Sequence, residues 1–182
     1  MNKVLIVIDA QEDFTRGALR NEEAIKALPV IHDIVRYAKD NHFNGIIYTA
    51  DTHHDNYMNT QEGTNLPVPH CVFKTAGWEL CPEVGYEEGN SPLLIKNSFG
   101  SLEWRDWPMI ENADEIWMCG FCTDICVSAN FQILKATYPE IPIVVIEDAC
   151  AGVTRDLHEA ALSVMGSCQA KITTWERLKN EA

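Results

Sequence analysis

The sequence predicts an α/β fold, a three-layer α/β/α sandwich around a mainly parallel six-stranded sheet. Three observations carry that prediction. Six short runs rich in β-branched and apolar residues recur along the chain, they lack the strict alternation of a half-exposed strand, and helical patterns separate them. Such runs suit strands covered on both faces, and the intervening helices provide right-handed crossovers between parallel neighbours.

The six runs are VLIVI at 4–8, GIIYTA at 45–50, PLLIK at 92–96, EIWMCG at 115–120, IPIVVIE at 141–147 and AKITT at 170–174. After a short turn at 21–27, the first helix is expected to enter at Pro29, a favoured first-turn residue. It runs through Asp40 with Ile31, Ile34, Val35 and Ala38 on one face. A second helix spans Asp124 to Ala136, with Val127, Phe131 and Leu134 at core spacing and Thr123 or Asp124 as its cap. A third covers Arg155 to Met165 and turns Leu157, Ala160, Ala161 and Val164 inward. The long connection 51–91 holds His53, His54 and His70, and loops of that length in a compact domain are usually functional or disordered.

A chain of 182 residues is long enough for one sizeable core, so residues 1–182 are expected to form a single domain. Hydrophobic residues make up 46% and charged residues 23%, and no apolar run approaches the roughly 20 residues of a membrane span. The opening MNKVLIVIDA reaches Asp9 too soon for a secretory signal and reads as a buried strand. Seven cysteines, an odd number without paired zinc-site spacing, point to a reducing cytoplasm. The net charge of -13 opposes binding to nucleic acid or an anionic membrane and favours a small neutral or cationic substrate.

In a parallel open sheet, ligands collect at the carboxyl ends of the strands. Here those ends carry Asp9, Asp51 followed by His53, Lys96, and the segment GFCTDIC at 120–126. Cys126 falls in the first turn of the helix after the fourth strand, where free amides and the helix dipole favour a thiolate. Lys96 adds positive charge, and Asp9 can take the thiol proton and return it to an amine leaving group. Each residue alone has a plainer explanation: most free cysteines are buried and inert, Asp9 could cap a loop, and Lys96 could reach for water. Cys122 and Cys126 could also be a redox pair or half of a metal site. Convergence of Asp9, Lys96 and Cys126 favours catalysis.

A second constellation is DTHHDNYMNTQE at 51–62 with VPH at 68–70. Asp51 and His53, two apart in an extended segment, project to the same side, and His70 can complete the set with Glu62 as a fourth ligand. Such a set suits Zn²⁺, Mn²⁺ or Fe²⁺. His54 reads as solvent-facing.

The motifs DxQEDF at 9–14, DTH at 51–53, PHC at 69–71, IKNSFGS at 95–101 and GFCTDICV at 120–127 together resemble the isochorismatase-like cysteine hydrolases, especially the nicotinamidases. The resemblance implies an Asp9, Lys96, Cys126 triad whose thiolate attacks an amide carbonyl, releases ammonia and leaves a thioester for water. It also implies an oxyanion hole from the amides of Cys122 and Cys126, a cis peptide between Phe121 and Cys122, and a divalent metal, zinc foremost, on Asp51, His53 and His70 that holds a pyridine nitrogen. Two departures stand out. Asn59 occupies the stretch where many nicotinamidases have a further histidine, and Leu66, Pro67, Val68 and Pro69 replace a stretch that often carries a ring-stacking tryptophan. Phe14 remains as a substrate contact, with Trp78 or Trp104 as a second wall.

The resemblance therefore implies hydrolysis of nicotinamide or a similar small aromatic amide. The alternative is a C–N hydrolase for N-carbamoyl or ureido compounds. The vinyl-ether reaction of true isochorismatases, which needs no cysteine nucleophile, fits least, and a non-enzymatic binding protein would have no reason to keep all three triad residues. A homo-oligomer, dimer or tetramer, is expected, and Trp104 and Trp107 are candidates for an interface, a lid or the core.

Overall fold

The computed structural model describes residues 2–181. Six strands, β1 (Lys3–Ile8), β2 (Gly45–Asp51), β3 (Leu93–Lys96), β4 (Glu115–Phe121), β5 (Ile143–Ala151) and β6 (Lys171–Thr173), form one sheet in the order β3-β2-β1-β4-β5-β6. All five pairings are parallel. Residues Val4 to Ile8 are fully buried, as expected for a central strand covered on both faces. Strand order reverses at β1, which pairs with β2 on one side and β4 on the other. The crevice at their carboxyl ends is where open α/β sheets bind ligands.

The helices are α1 (Glu22–Asp40), α2 (Gln61–Asn65), α3 (Pro108–Glu111), α4 (Ser128–Thr137), α5 (Arg155–Ser167) and α6 (Trp175–Glu181). Helix α1 corrects the expected boundary, because 21–27 is not a separate turn. Asn21 caps the helix by accepting from the amides of Glu23 and Ala24, and Pro29 lies inside it on the exposed face. Proline there removes the bond to the Ile25 carbonyl and crowds that carbonyl, and the core stripe from Ala24 to Ala38 outweighs the cost. In α5 the buried stripe is Ala161, Leu162 and Met165, whereas Leu157 and Val164 are 47% and 53% exposed. The expected face was one residue out of phase, since both stripes carry apolar side chains and periodicity alone does not separate them. Helix α6, which buries Trp175 and Leu178, was not anticipated.

The expected helix from Asp124 begins instead with a wide turn over Thr123–Val127, closed by the Val127 N–H donating to the Cys122 carbonyl, before α4 proper. Val127, Phe131 and Leu134 are fully buried as expected. Neither Thr123 nor Asp124 caps a helix, because both side chains reach outward to other elements. Gly120 sets the spacing of β4 against β1. Its φ is +119°, and a Cβ would lie 2.0 Å from the Ile8 carbonyl oxygen. Among the described residues no helix is long and apolar enough to cross a membrane.

Candidate active site

Asp9 follows β1 with a left-handed φ of 44°, uncommon for a non-glycine residue. Thr49 of β2 holds it there, accepting from the Asp9 amide at 3.0 Å and donating to Oδ1 at 2.6 Å. The other carboxylate oxygen, Oδ2, lies 2.6 Å from Lys96 Nζ as an ion pair without hydrogen-bond angles. Lys96 Nζ also donates to the Ser98 carbonyl at 3.1 Å and to Cys126 Sγ at 3.5 Å. The three expected partners therefore meet, each no more than 5% exposed.

Burial acts on the ionisation of all three and wins at Asp9 and Cys126. It raises the Asp9 carboxyl above its ordinary range, more than the neighbouring Lys96 cation lowers it, and the Asp51 charge adds to the rise. It would depress the Lys96 ammonium, but Asp9, Cys126 and Asp51 together overcome that and raise it. Burial also lifts the Cys126 thiol well above its usual value despite Lys96. Burial therefore opposes the thiolate that the position of Cys126 at the start of a helix was expected to favour, and Lys96 works against that rise. Cys122, whose peptide bond with Phe121 is cis, lies at the cavity wall, and burial pushes its thiol up to about 12.

The second constellation assembles beside the first. Asp51 Oδ2 lies 3.0 Å from His53 Nε2 and 3.6 Å from His70 Nε2, and Glu62 Oε1 lies 3.5 Å and 3.6 Å from the same two nitrogens. One ligand atom from each of these four residues falls within 4.8 Å of all the others. His70 Nδ1 donates to the Val68 carbonyl at 2.8 Å, which leaves the Nε2 lone pair free for a metal. Two imidazoles and two carboxylates converging in this way fit a divalent cation. Asn59 and His54 are exposed and stand outside the set. Asp51 links the two groups, since its Oδ1 lies 3.4 Å from Lys96 Nζ.

Both constellations open on a cavity of 1150 Å³ walled by Phe14, Leu19, Leu66, Phe99, Ile125 and Val153. Phe14 packs edge-on against His70 at 6.2 Å. Trp78 and Trp104 do not line the cavity, contrary to expectation. Trp78 donates to Thr52 and Trp104, fully buried, donates to Asn130, so both indoles serve the scaffold.

Several supporting residues were missed from sequence. Gln11 clamps Asp51 through two bonds to its backbone, each 2.9 Å, and Asp13 accepts the Cys71 amide at 2.6 Å beside His70. Both lie in the DxQEDF motif, where their polarity inside an apolar surrounding was the available signal. Thr49 had none, because its partner Asp9 is 40 residues distant, and the bonds of Asn130 to Trp104 and Phe99 span 26 and 31 residues.

The family model for the isochorismatase domain matches residues 3–177. The chain belongs to the isochorismatase family. Among relatives of this isochorismatase-family chain, the nicotinamidase of Escherichia coli K12 is 24% identical over 96% of this chain and 97% of its own. The crystal structure of the nicotinamidase PncA from Bacillus subtilis is similar with a TM-score of 0.80 and 26% identity, covering 95% of this chain and 99% of that one. The pyrazinamidase of Pyrococcus horikoshii, solved in complex with zinc, has the same TM-score and identity, with 96% and 99% covered. The family assignment agrees with the resemblance carried by the sequence motifs.

Proposed function

We propose that this chain is a cysteine amidohydrolase of the nicotinamidase type, converting nicotinamide and water to nicotinate and ammonia. One observation carries the proposal: Lys96 Nζ lies 2.6 Å from Asp9 Oδ2 and 3.5 Å from Cys126 Sγ, next to a four-residue ligand set. The nicotinamidases among its relatives support the same reading.

Asp9 takes the Cys126 proton, and the thiolate attacks the amide carbonyl to form a C–S bond. The backbone amides of Cys122 and Cys126 hold the oxyanion, a contribution of about 3–4 kcal/mol for such donors. Asp9 returns the proton to the departing nitrogen as the C–N bond breaks and ammonia leaves. It then takes a proton from water, whose oxygen displaces the thiol and frees the acid. Lys96 balances the negative charge on Asp9 and on the sulfur throughout. Asp51, His53, Glu62 and His70 would hold a divalent cation, zinc by analogy with the Pyrococcus horikoshii structure, which when bound supplies a Lewis-acid contact for a pyridine nitrogen. Phe14 covers the ring.

One observation favours a second reading, a C–N hydrolase for N-carbamoyl or ureido compounds. The stretch that would carry a stacking tryptophan presents the aliphatic Leu66 to the cavity, so no indole stands there to stack on a pyridine ring. Ammonia release from nicotinamide by zinc-loaded protein, with Cys126→Ala as control, tests the first reading. Turnover restricted to carbamoyl compounds would transfer the site to the second.

A further inference from the structure

The turn bearing Cys126 is held at three points. Asn130 Nδ2 donates to the Cys126 carbonyl at 2.7 Å. Asp124 Oδ1 accepts the Val153 amide at 2.9 Å. The Thr123 hydroxyl lies 2.7 Å from His158 Nδ1, and among the described residues His158 is its only side-chain hydrogen-bond partner. Thr123 is fully buried, so this hydroxyl depends on that imidazole.

His158 has little freedom to move away. It follows the loop from β5 to α5, in which Gly152 passes so close that a Cβ would lie 2.8 Å from His158 Cβ and 2.9 Å from Asp124 Oδ1. Asn21 fixes the same loop from the other side, donating to the Gly152 carbonyl at 2.7 Å. The backbone that carries the imidazole is thus packed closely behind the turn. His158 does not line the cavity, so it touches no substrate.

We infer that His158 is a positioning residue for the Cys126 nucleophile, acting through the Thr123 hydroxyl; the inference rests on the amidohydrolase reading above. The turn carries both Sγ and the Cys126 amide, so a shift of Thr123 displaces the attacking atom and an oxyanion donor together, relative to Asp9 and Lys96 on other strands. Attack geometry is sensitive at this scale: a displacement of about 1 Å can cost about 100-fold in rate. Phe14, Leu66 and the four-residue ligand set lie on separate elements, so ground-state binding stays intact. A plain packing role for His158 would instead lower stability and leave turnover per folded molecule unchanged.

The test compares His158→Leu, which removes the partner, with His158→Asn, whose side-chain amide reaches the position of Nδ1. Thr123→Val and Thr123→Ser form the matching pair on the other side of the bond. On zinc-supplemented protein, kcat and KM for nicotinamide, the melting temperature and the rate of Cys126 alkylation by iodoacetamide, read by peptide mass spectrometry, are measured. The expected result is a kcat lowered about 10–100-fold in His158→Leu and Thr123→Val with KM within about twofold, slower alkylation, and recovery of most of the rate in the Asn and Ser variants. Wild-type kcat per folded molecule in His158→Leu, or equal losses in the Leu and Asn variants, would overturn the inference. If His158→Leu does not fold, the two Thr123 variants make the same comparison. A wild-type protein that releases no ammonia would defeat the nicotinamidase reading alone. The alkylation rates then decide: slowing in Leu and Val with recovery in Asn and Ser supports positioning, and unchanged rates refute it.

Discussion

Lys96 Nζ stands 2.6 Å from Asp9 Oδ2, with the two side chains 1% and 0% exposed. The ammonium also faces Asp51, so one cation serves two buried carboxylates. Lys96→Met strips both of their counter-charge, and breaking a buried pair in this way costs about 3–5 kcal/mol. Asp9→Asn leaves Lys96 with Asp51, and that variant should fold while kcat drops about 100–10,000-fold. Urea denaturation and ammonia release check the two halves; a Lys96→Met protein as stable as the wild type would contradict the pairing.

Asp51 predicts a pH dependence of stability. Burial alone would raise its carboxyl, but the hydrogen bond from His53, the nearby imidazole of His70 and the charge of Lys96 outweigh burial and hold it well below 3.8. A depressed folded-state value contributes stability that is present above the ordinary value and lost as pH falls through the folded one. In chelator, wild type should therefore exceed Asp51→Asn in urea midpoint near neutrality, and the gap should close as pH falls below 3.8. A gap that stays constant over that range would refute the assignment.

Metal removal should be visible without any assay of turnover. A cation present at about 100 times its Kd adds about 2.7 kcal/mol to stability, so chelation should lower the melting temperature and zinc should restore it. His70→Ala should abolish that response, and a melting temperature indifferent to zinc in the wild type would count against the ligand set.

Gly120→Ala tests the seam between β1 and β4. A methyl group 2.0 Å from the Ile8 carbonyl, on a backbone at φ +119°, should destabilise the fold by more than about 3 kcal/mol in urea denaturation. A near-neutral substitution would show that the strands can separate there.

Leu66→Trp should give this side of the cavity an aromatic wall. Leu66 is 38% exposed at the cavity, which leaves room for an indole. Stacking worth about 0.5–1.5 kcal/mol corresponds to a KM for nicotinamide lower by about 2–10-fold, with kcat little changed. An unchanged KM would mean that the ring does not lie against this residue.

The β-strands were legible because a strand buried on both faces writes an uninterrupted apolar run, and Val4 to Ile8 shows it plainly. Asp9, Asp51 and Lys96 were legible as the polar residues that end such runs. Helix α1 was misread because Pro29 resembles a helix start, when the Asn21 cap had already begun the helix two turns earlier. The face of α5 was misread because neighbouring stripes were both apolar. The pocket walls and the residues behind the turn came from pairings such as Thr123 with His158, 35 positions apart, for which neither residue carries a local signal.

Asp51 points one oxygen at Lys96 and the other at His53 and His70. The nucleophile's charge balance and the ligand set are therefore not modules that can change separately. A cation drawing on one oxygen would weaken what the other offers Lys96 and leave that ammonium more to Asp9 and the sulfur. A cation held by one half of the site would therefore be felt as acidity in the other, and a substitution that retunes metal preference is expected to move the pH profile of the thiol with it.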